Sequence, residues 1–337
     1  MKNKSLQFCS ETIHPGESLT LALPLPKIFS CAPFYMPIKI IHGKQPGPTL
    51  LLIGAMYGNE MNGTEIIHRL LNLPALSRMK GTLIAVPVMN VHGLINRSRF
   101  LPDGTDMNRH FPGCLNGTNS ERLTNIFVTE ILSRADYCIN LQTGPLNHYN
   151  LPMVQFYGND EASLQLAQIF NTPIIMNETA EPGSLQHVAL EQNKYMLNYI
   201  AGEAMRFDAQ AARIGMHGIV NIMRHLQMLP PKKNPSNNKP PKLADSVCWI
   251  SACASGTHRV KGKLGQTVKK DELLSVIKDP FGGGDIIPVH SPENGMIVVK
   301  NHTPFIYEGD RLFQLAVFSE AMEVPAEISS PALDEAI

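Results

Sequence analysis

Short apolar runs alternate with helical periodicity along the first two-thirds of the chain. Residues 38–41, 50–54, 83–87, 137–141 and 196–200 are apolar stretches of strand length. Residues 63–71, 120–134, 161–170 and 208–225 place apolar side chains at three- and four-residue spacing, which predicts helices. That alternation predicts an α/β domain, a central mixed sheet with helices on both faces. It breaks at Leu229-Pro-Pro-Lys-Lys-Asn-Pro-Ser-Asn-Asn-Lys-Pro-Pro-Lys242, rich in Pro, Asn and Lys and without apolar periodicity. An extended linker over 229–243 is expected there. Beyond it, apolar runs at 260–268, 273–277, 295–299 and 311–316 are punctuated by Gly, Pro, Asp and Asn. They predict a small all-β barrel or sandwich over 244–320, followed by a flexible tail at 321–337. The domain plan is therefore 1–228, linker, 244–320 and tail.

Composition narrows the function classes. The 337 residues are 43% hydrophobic and 17% charged, with 29 Lys+Arg against 29 Asp+Glu. No net field recruits nucleic acid or an anionic membrane. The first ten residues lack a signal-peptide core, and no apolar run reaches the roughly 18 residues of a spanning helix. The six cysteines fall in no CxxC pair, which suits reduced thiols in a cytoplasmic protein. The sixteen methionines show no clustering and read as core filler.

Candidate chemistry starts at Gly54-Ala-Met-Tyr-Gly-Asn-Glu60, where a strand meets a tight turn and a carboxylate stands at the mouth of a helix. A second constellation is Arg99-Phe-Leu-Pro-Asp-Gly-Thr-Asp-Met-Asn-Arg-His-Phe-Pro-Gly113. A planar guanidinium binds a carboxylate through two parallel bonds, and an Asn adds a directional donor. Arg99, Asn108 and Arg109 are thus candidates to hold an anion. The alternative is that Asn108 and Arg109 fix a loop over Asp106. Two further segments complete the set, Asn140-Leu-Gln-Thr-Gly144 and Tyr199-Ile-Ala-Gly-Glu-Ala-Met-Arg-Phe-Asp208.

Together these segments resemble the succinylglutamate desuccinylase/aspartoacylase family, relatives of the zinc carboxypeptidases. The resemblance covers most of residues 20–318 and implies a zinc carboxypeptidase-like fold closed by a biotinyl/lipoyl-like β module. The turn Pro292-Glu-Asn-Gly-Met296 has no lysine for cofactor attachment. In the family the first motif reads His-Gly-(Asn/Asp)-Glu, with His and Glu on zinc, and the second ends Asp-Leu-His-Thr-Gly, with the third ligand. The Asn-Arg pair holds the substrate carboxylate, the upstream arginine polarises the scissile carbonyl, and the last motif supplies a glutamate as general base. Here Glu60 is retained, but Tyr57 and Gln142 stand at the two histidine positions and Ile200 at the general-base position. His148 and Gln186 stand where the family has arginines, and Glu203 matches a different family glutamate.

These replacements act in concert. Catalytic zinc takes three N, S or O protein ligands plus water. A tyrosine would have to shed a proton of pKa about 10, and an amide oxygen is a neutral, weak donor. Without the metal, water is not acidified, and Ile200 offers no base. The resemblance, so modified, implies a degenerate family member. It would keep a pocket for a small carboxylate such as an N-acyl amino acid, without cofactor, and could assemble as a homo-oligomer. Two alternatives stand beside it. One is a working metal-dependent amidohydrolase acting on N-acyl amino acids, with zinc held by relocated ligands for which His68 or His148 could approach Glu60, or a hard cation such as magnesium held by Asp103, Asp106 and Glu60. The other is a structural partner with a vestigial pocket.

Overall fold

The structure is a computed structural model that describes residues 3–27, 33–232 and 240–319. The chain separates into two compact units, one built from residues up to 146 and from 152 to 242, the other from 147–151 and 243 onward.

In the first unit, Leu6–Phe8 (β1) and Glu11–Ile13 (β2) make a small antiparallel hairpin. The main sheet then takes Ser18–Pro24 (β3), Tyr35–His42 (β4), Thr49–Gly54 (β5), Thr82–Val86 (β6) and Tyr137–Gly144 (β7). It is completed by His148–Tyr157 (β8), of which residues 152–157 belong to this unit, Ile174–Glu178 (β9) and Tyr195–Glu203 (β10). Strand order is β9-β8-β10-β7-β5-β6-β4-β3. Strands β5, β6, β7 and β10 pair in parallel, while β4 runs antiparallel to β6 and to β3, so the sheet is mixed.

Helices cover both faces because β5 is apolar on both. Leu50 and Leu52 point into one core with Asn62–Leu71 (α1), Glu161–Phe170 (α4) and Ala209–His225 (α6). Leu51 and Ile53 point into the other with Asn119–Glu130 (α3) and Leu185–Glu191 (α5). Side chains alternate along a strand, so a continuous apolar run is what a strand buried on both faces needs. The short helix Val91–Asn96 (α2) is capped by the Asn90 side chain, which accepts from Gly93 N–H at 2.7 Å. The predicted helix over 120–134 stops at Glu130 and ends in a 3₁₀ turn, Leu132–Arg134.

Pro and Asn mark only part of the expected linker. Leu229 is buried in the core of the first unit, and Lys242 opens a strand, Lys242–Ala244 (β11). Residues 233–239, like the expected tail at 321–337, lie outside the described residues.

The second unit is rich in antiparallel strands. Ser246–Ser251 (β12), Gly295–Asn301 (β17) and Arg311–Val317 (β19) pair antiparallel around β19. Gly256–Val260 (β13), Leu273–Lys278 (β15), Ile287–His290 (β16) and Phe305–Ile306 (β18) form a four-stranded sheet. The strand expected over 260–268 is broken. The chain leaves β13 at Val260, turns through Gly265 at φ +76°, and pairs again only at Thr267–Val268 (β14). Positive φ suits glycine and ends a ladder, which the apolar count alone could not register.

Candidate functional site

Where a strand order reverses direction in an open α/β sheet, a crevice opens at the carboxyl ends of the strands. Here β5 has β6 on one side and β7 on the other, and the chain builds β6 first. The loop after β5 and the end of β7 therefore face each other across that crevice. Gly58 lets the loop sink against α2, since a Cβ there would collide with the backbone of Gly93. The turn closes with Glu60 N–H donating to Tyr57 C=O at 2.9 Å.

A cavity of about 300 Å³ occupies the crevice. Tyr57, Glu60 and Gln142 all line it, as do Arg99 and Asn108. Ile200 sits beside Gln142 in the β10–β7 register, so it shares that face of the sheet, but it is not among the lining residues. Arg109 is exposed and also lies outside the lining. The sequence therefore brings together five of the seven candidates.

Glu60 is 3% exposed. One of its carboxyl oxygens accepts from Thr143 N–H at 2.8 Å, and the other lies 3.6 Å from Arg99 Nη1. Burial pushes this carboxyl up to about 8, against the opposing pull of the Thr143 bond and the Arg99 charge. Arg99 is more tightly engaged elsewhere. Its Nε and Nη2 donate to Asp106 Oδ2 at 3.3 and 3.0 Å, and its guanidinium carbon lies 3.5 Å from the Tyr57 ring centroid. Burial also drives the Tyr57 phenol well above its usual range.

Asn108 serves the loop as well as the cavity. Its N–H donates to Asp106 Oδ1 at 2.9 Å, its Oδ1 accepts from Leu185 N–H at 2.9 Å, and its Nδ2 donates to Gln186 Oε1 at 3.2 Å. From Gln186 a chain of bonds continues along the cavity floor. Gln186 Nε2 donates to Asn198 Oδ1 at 3.1 Å, Asn198 Nδ2 to the Tyr157 hydroxyl at 2.5 Å, and that hydroxyl to Gln155 Oε1 at 3.3 Å. Gln155 Nε2 then reaches Glu178 at 3.4 Å. Asn198, Tyr157, Gln155 and Glu178 escaped the sequence reading. Asn198 had left a signal, a lone amide inside the apolar run of β10.

Residues 46–226 match the succinylglutamate desuccinylase/aspartoacylase catalytic domain family over more than half of the chain. The chain belongs to that family. An N-alpha-acetyl-L-2,4-diaminobutyric acid deacetylase of Halomonas elongata is 23% identical over 300 residues, covering 86% of each chain. Two solved structures share the fold. A product-bound ectoine utilization protein of Ruegeria pomeroyi has TM-score 0.80 and 23% identity, covering 89% of this chain and 95% of its own. A succinylglutamate desuccinylase/aspartoacylase of Rhodobacter sphaeroides has TM-score 0.79 and 19% identity, covering 88% and 95%. The family is one of deacylases, typically zinc-dependent.

Zinc does not fit Tyr57, Glu60 and Gln142 as they stand at this cavity. Among the described residues no group of three His, Cys, Asp or Glu side chains could hold a metal. Of Tyr57, Glu60 and Gln142, the three positions the resemblance points to, only Glu60 is a carboxylate, and burial favours its neutral form. Tyr57 is a high-pKa phenol with a guanidinium on its face. The Arg99 guanidinium 3.6 Å from Glu60 repels a second cation there. His68 is exposed on α1, and Asp103 is spent on Ser120 and Thr105, so neither joins Glu60 at the cavity. No helix among the described residues is long and apolar enough to cross a membrane.

Proposed function

We propose that this protein is a degenerate deacylase, a pseudoenzyme that binds a small carboxylate such as an N-acyl amino acid without zinc-dependent hydrolysis. One observation carries this reading. The position where the family's first histidine would stand holds Tyr57, covered by the Arg99 guanidinium, which also reaches toward Glu60. A Lewis acid that would acidify water has no donor set there, and Ile200 beside Gln142 supplies no base. What remains is a polar cavity with donors on one side, Arg99 and Asn108, and with exposed Arg109 next along the same loop. Among the described residues no ion pair engages Arg109.

The ligand class follows from the lining. Arg99 and Arg109 suit the carboxylate or acyl oxygen of an N-acyl amino acid. Half-buried Glu178, on the outermost strand of the cavity floor, suits an amino group on the same ligand. The Halomonas relative acts on an acetylated diamino acid, which carries both groups. A cytoplasmic location and homo-oligomeric assembly belong to the same proposal.

The relative's activity over 86% of both chains favours a second reading, a working amidohydrolase. Metal content by mass spectrometry on protein purified without chelator, run beside a hydrolysis assay on acetyl- and succinyl-amino acids, separates the two. The degenerate reading expects no stoichiometric zinc and no hydrolysis, with saturable binding of at least one N-acyl amino acid by calorimetry. Turnover stimulated by added zinc would refute it. Absence of any carboxylate binding would leave only a structural role.

A further inference from the structure

Three groups immobilise the Arg99 side chain. Asp106 accepts from Nε and Nη2, the Tyr57 ring lies flat beneath the guanidinium carbon at 3.5 Å, and Glu60 Oε1 stands 3.6 Å from Nη1. A guanidinium has five N–H donors in a fixed plane. Two are committed to Asp106 and one faces Glu60, which leaves two for a ligand in the cavity that Arg99 lines. Tyr57 thus occupies a family ligand position with a surface that attracts cations through its ring rather than through a lone pair. Glu60, the one family ligand position that is retained, presents an oxygen to the same cation.

We propose that Arg99 is the resident cation of this site, its guanidinium standing as the positive centre where the family would place a metal ion. This rests on the degenerate-deacylase reading and adds to it the identity of the group that replaces the metal. The chemistry differs in kind. A guanidinium orients and binds an oxygen of the ligand through hydrogen bonds, but it has no open coordination position in which to acidify water. Arg99 keeps the position of the family's carbonyl-polarising arginine, and Tyr57 gives it a ring face that a metal ligand would not. A histidine at position 57 would lose the broad ring face, and a lysine at position 99 would lose the plane that stacks on it. Arg99 acts here as a binding residue, with Tyr57 and Asp106 as its positioning residues.

Chemical rescue tests the proposal on the full-length protein. Arg99→Ala leaves a hole bounded by Tyr57, Asp106 and Glu60 that has the shape and charge to take a free guanidinium ion. Millimolar guanidinium chloride, far below denaturing concentrations, is expected to raise the melting temperature of Arg99→Ala, with sodium chloride and urea at equal concentration as controls. Wild type, whose hole is filled, should show no such rise. Arg99→Gln, which fills the space without charge, should not respond either. N-acetyl-L-glutamate affinity, measured in parallel, should fall about tenfold or more in Arg99→Ala and recover with guanidinium.

A folded Arg99→Ala, verified by circular dichroism, that responds to guanidinium no more than wild type overturns the proposal. Should Arg99→Ala not fold, Arg99→Gly is read the same way, and failure of both to recover a folded signal in guanidinium counts against it equally. Stoichiometric zinc bound through Glu60 in the wild type would also overturn it. If the wild type binds no N-acyl amino acid, the functional reading fails, but the melting-temperature response still decides whether Arg99 is the resident cation.

Discussion

Arg99 and Tyr57 are 42 positions apart in sequence and stack at 3.5 Å between guanidinium carbon and ring centroid. The contact joins the loop after β5 to the Arg99–Arg109 loop. A cation–π pair in a partly dehydrated site contributes roughly 1–2 kcal/mol, and Asp106 adds a charge-assisted bond on the open edge of the guanidinium. The contact thus holds Arg99 over Tyr57 at the cavity.

Rebuilding the donor set should reverse that preference. The triple change Tyr57→His, Gln142→His and Ile200→Glu places two imidazoles beside Glu60 and a carboxylate on the strand position next to residue 142. Two nitrogens and one carboxylate satisfy the three-ligand rule for a catalytic site. Zinc binding is expected to appear in isothermal titration of the variant and to be absent in wild type. Equal zinc uptake by both proteins would mean that the metal, if held, is held elsewhere.

Glu60 gives the site a pH signature. Its carboxyl titrates near 8 in the folded chain because burial disfavours the charged form, against about 4.3 for an unhindered glutamate. Between those values the native state keeps a proton that the unfolded chain has released. Stability therefore falls as pH rises through that window, by up to about 1.4 kcal/mol per pH unit from this one group. Glu60→Gln is neutral at every pH and should gain on wild type as pH increases. Denaturant midpoints of the two proteins at pH 5, 7 and 9 should diverge progressively; parallel curves would show that Glu60 is ionised throughout.

The polar floor is expected to matter for stability. Asn198 is 3% exposed and bridges two other buried groups, Gln186 and the Tyr157 hydroxyl. Asn198→Leu keeps the γ-branched shape and leaves both partners without their bond. An unsatisfied buried polar group costs about 1–3 kcal/mol, and the variant should lose about that much in chemical denaturation. Adding Gln186→Leu removes one orphaned group, so the double variant should be more stable than the sum of the singles. Simple additivity would show that the two amides do not act as a unit.

Much of this architecture was legible in the sequence because β5 states it twice. Four consecutive apolar residues, Leu50 to Ile53, can be buried only if both faces of the sheet are covered, and both are. The motif residues Tyr57, Glu60, Gln142, Arg99 and Asn108 also reach one cavity, because three of them follow strand ends that the apolar runs mark. Strands β8 and β9 and helix α5 were not legible. Pro152, Asn150 and Gln155 interrupt β8, and the seven residues of α5 span too little to show a period. Contacts between distant loops left no pattern at all. Nothing at position 108 indicates that its side chain will take the backbone N–H of Leu185, 77 residues on, and nothing at position 57 indicates that Arg99 will cover its ring.

Arg109 separates anion binding from loop construction. Asn108 and Asp106 already secure the loop through the Asn108 N–H bond to Asp106 and the Asn108 bonds to Leu185 and Gln186. Arg109 contributes its backbone there, with its N–H donating to Asp106 C=O at 3.1 Å and its carbonyl lying against Gly183. Its side chain is exposed, so Arg109→Ala should leave the melting temperature close to that of wild type. If the guanidinium swings over the cavity mouth to meet a carboxylate, its loss removes a charge-assisted bond of roughly 1.5–3 kcal/mol. Affinity for N-acyl amino acids should then drop about tenfold or more, and the effect should shrink as salt is raised, since an exposed charge is screened. Calorimetric titration at low and high ionic strength reads both effects. A variant that binds as well as wild type would confine the anion to Arg99 and Asn108 and assign Arg109 to the loop alone.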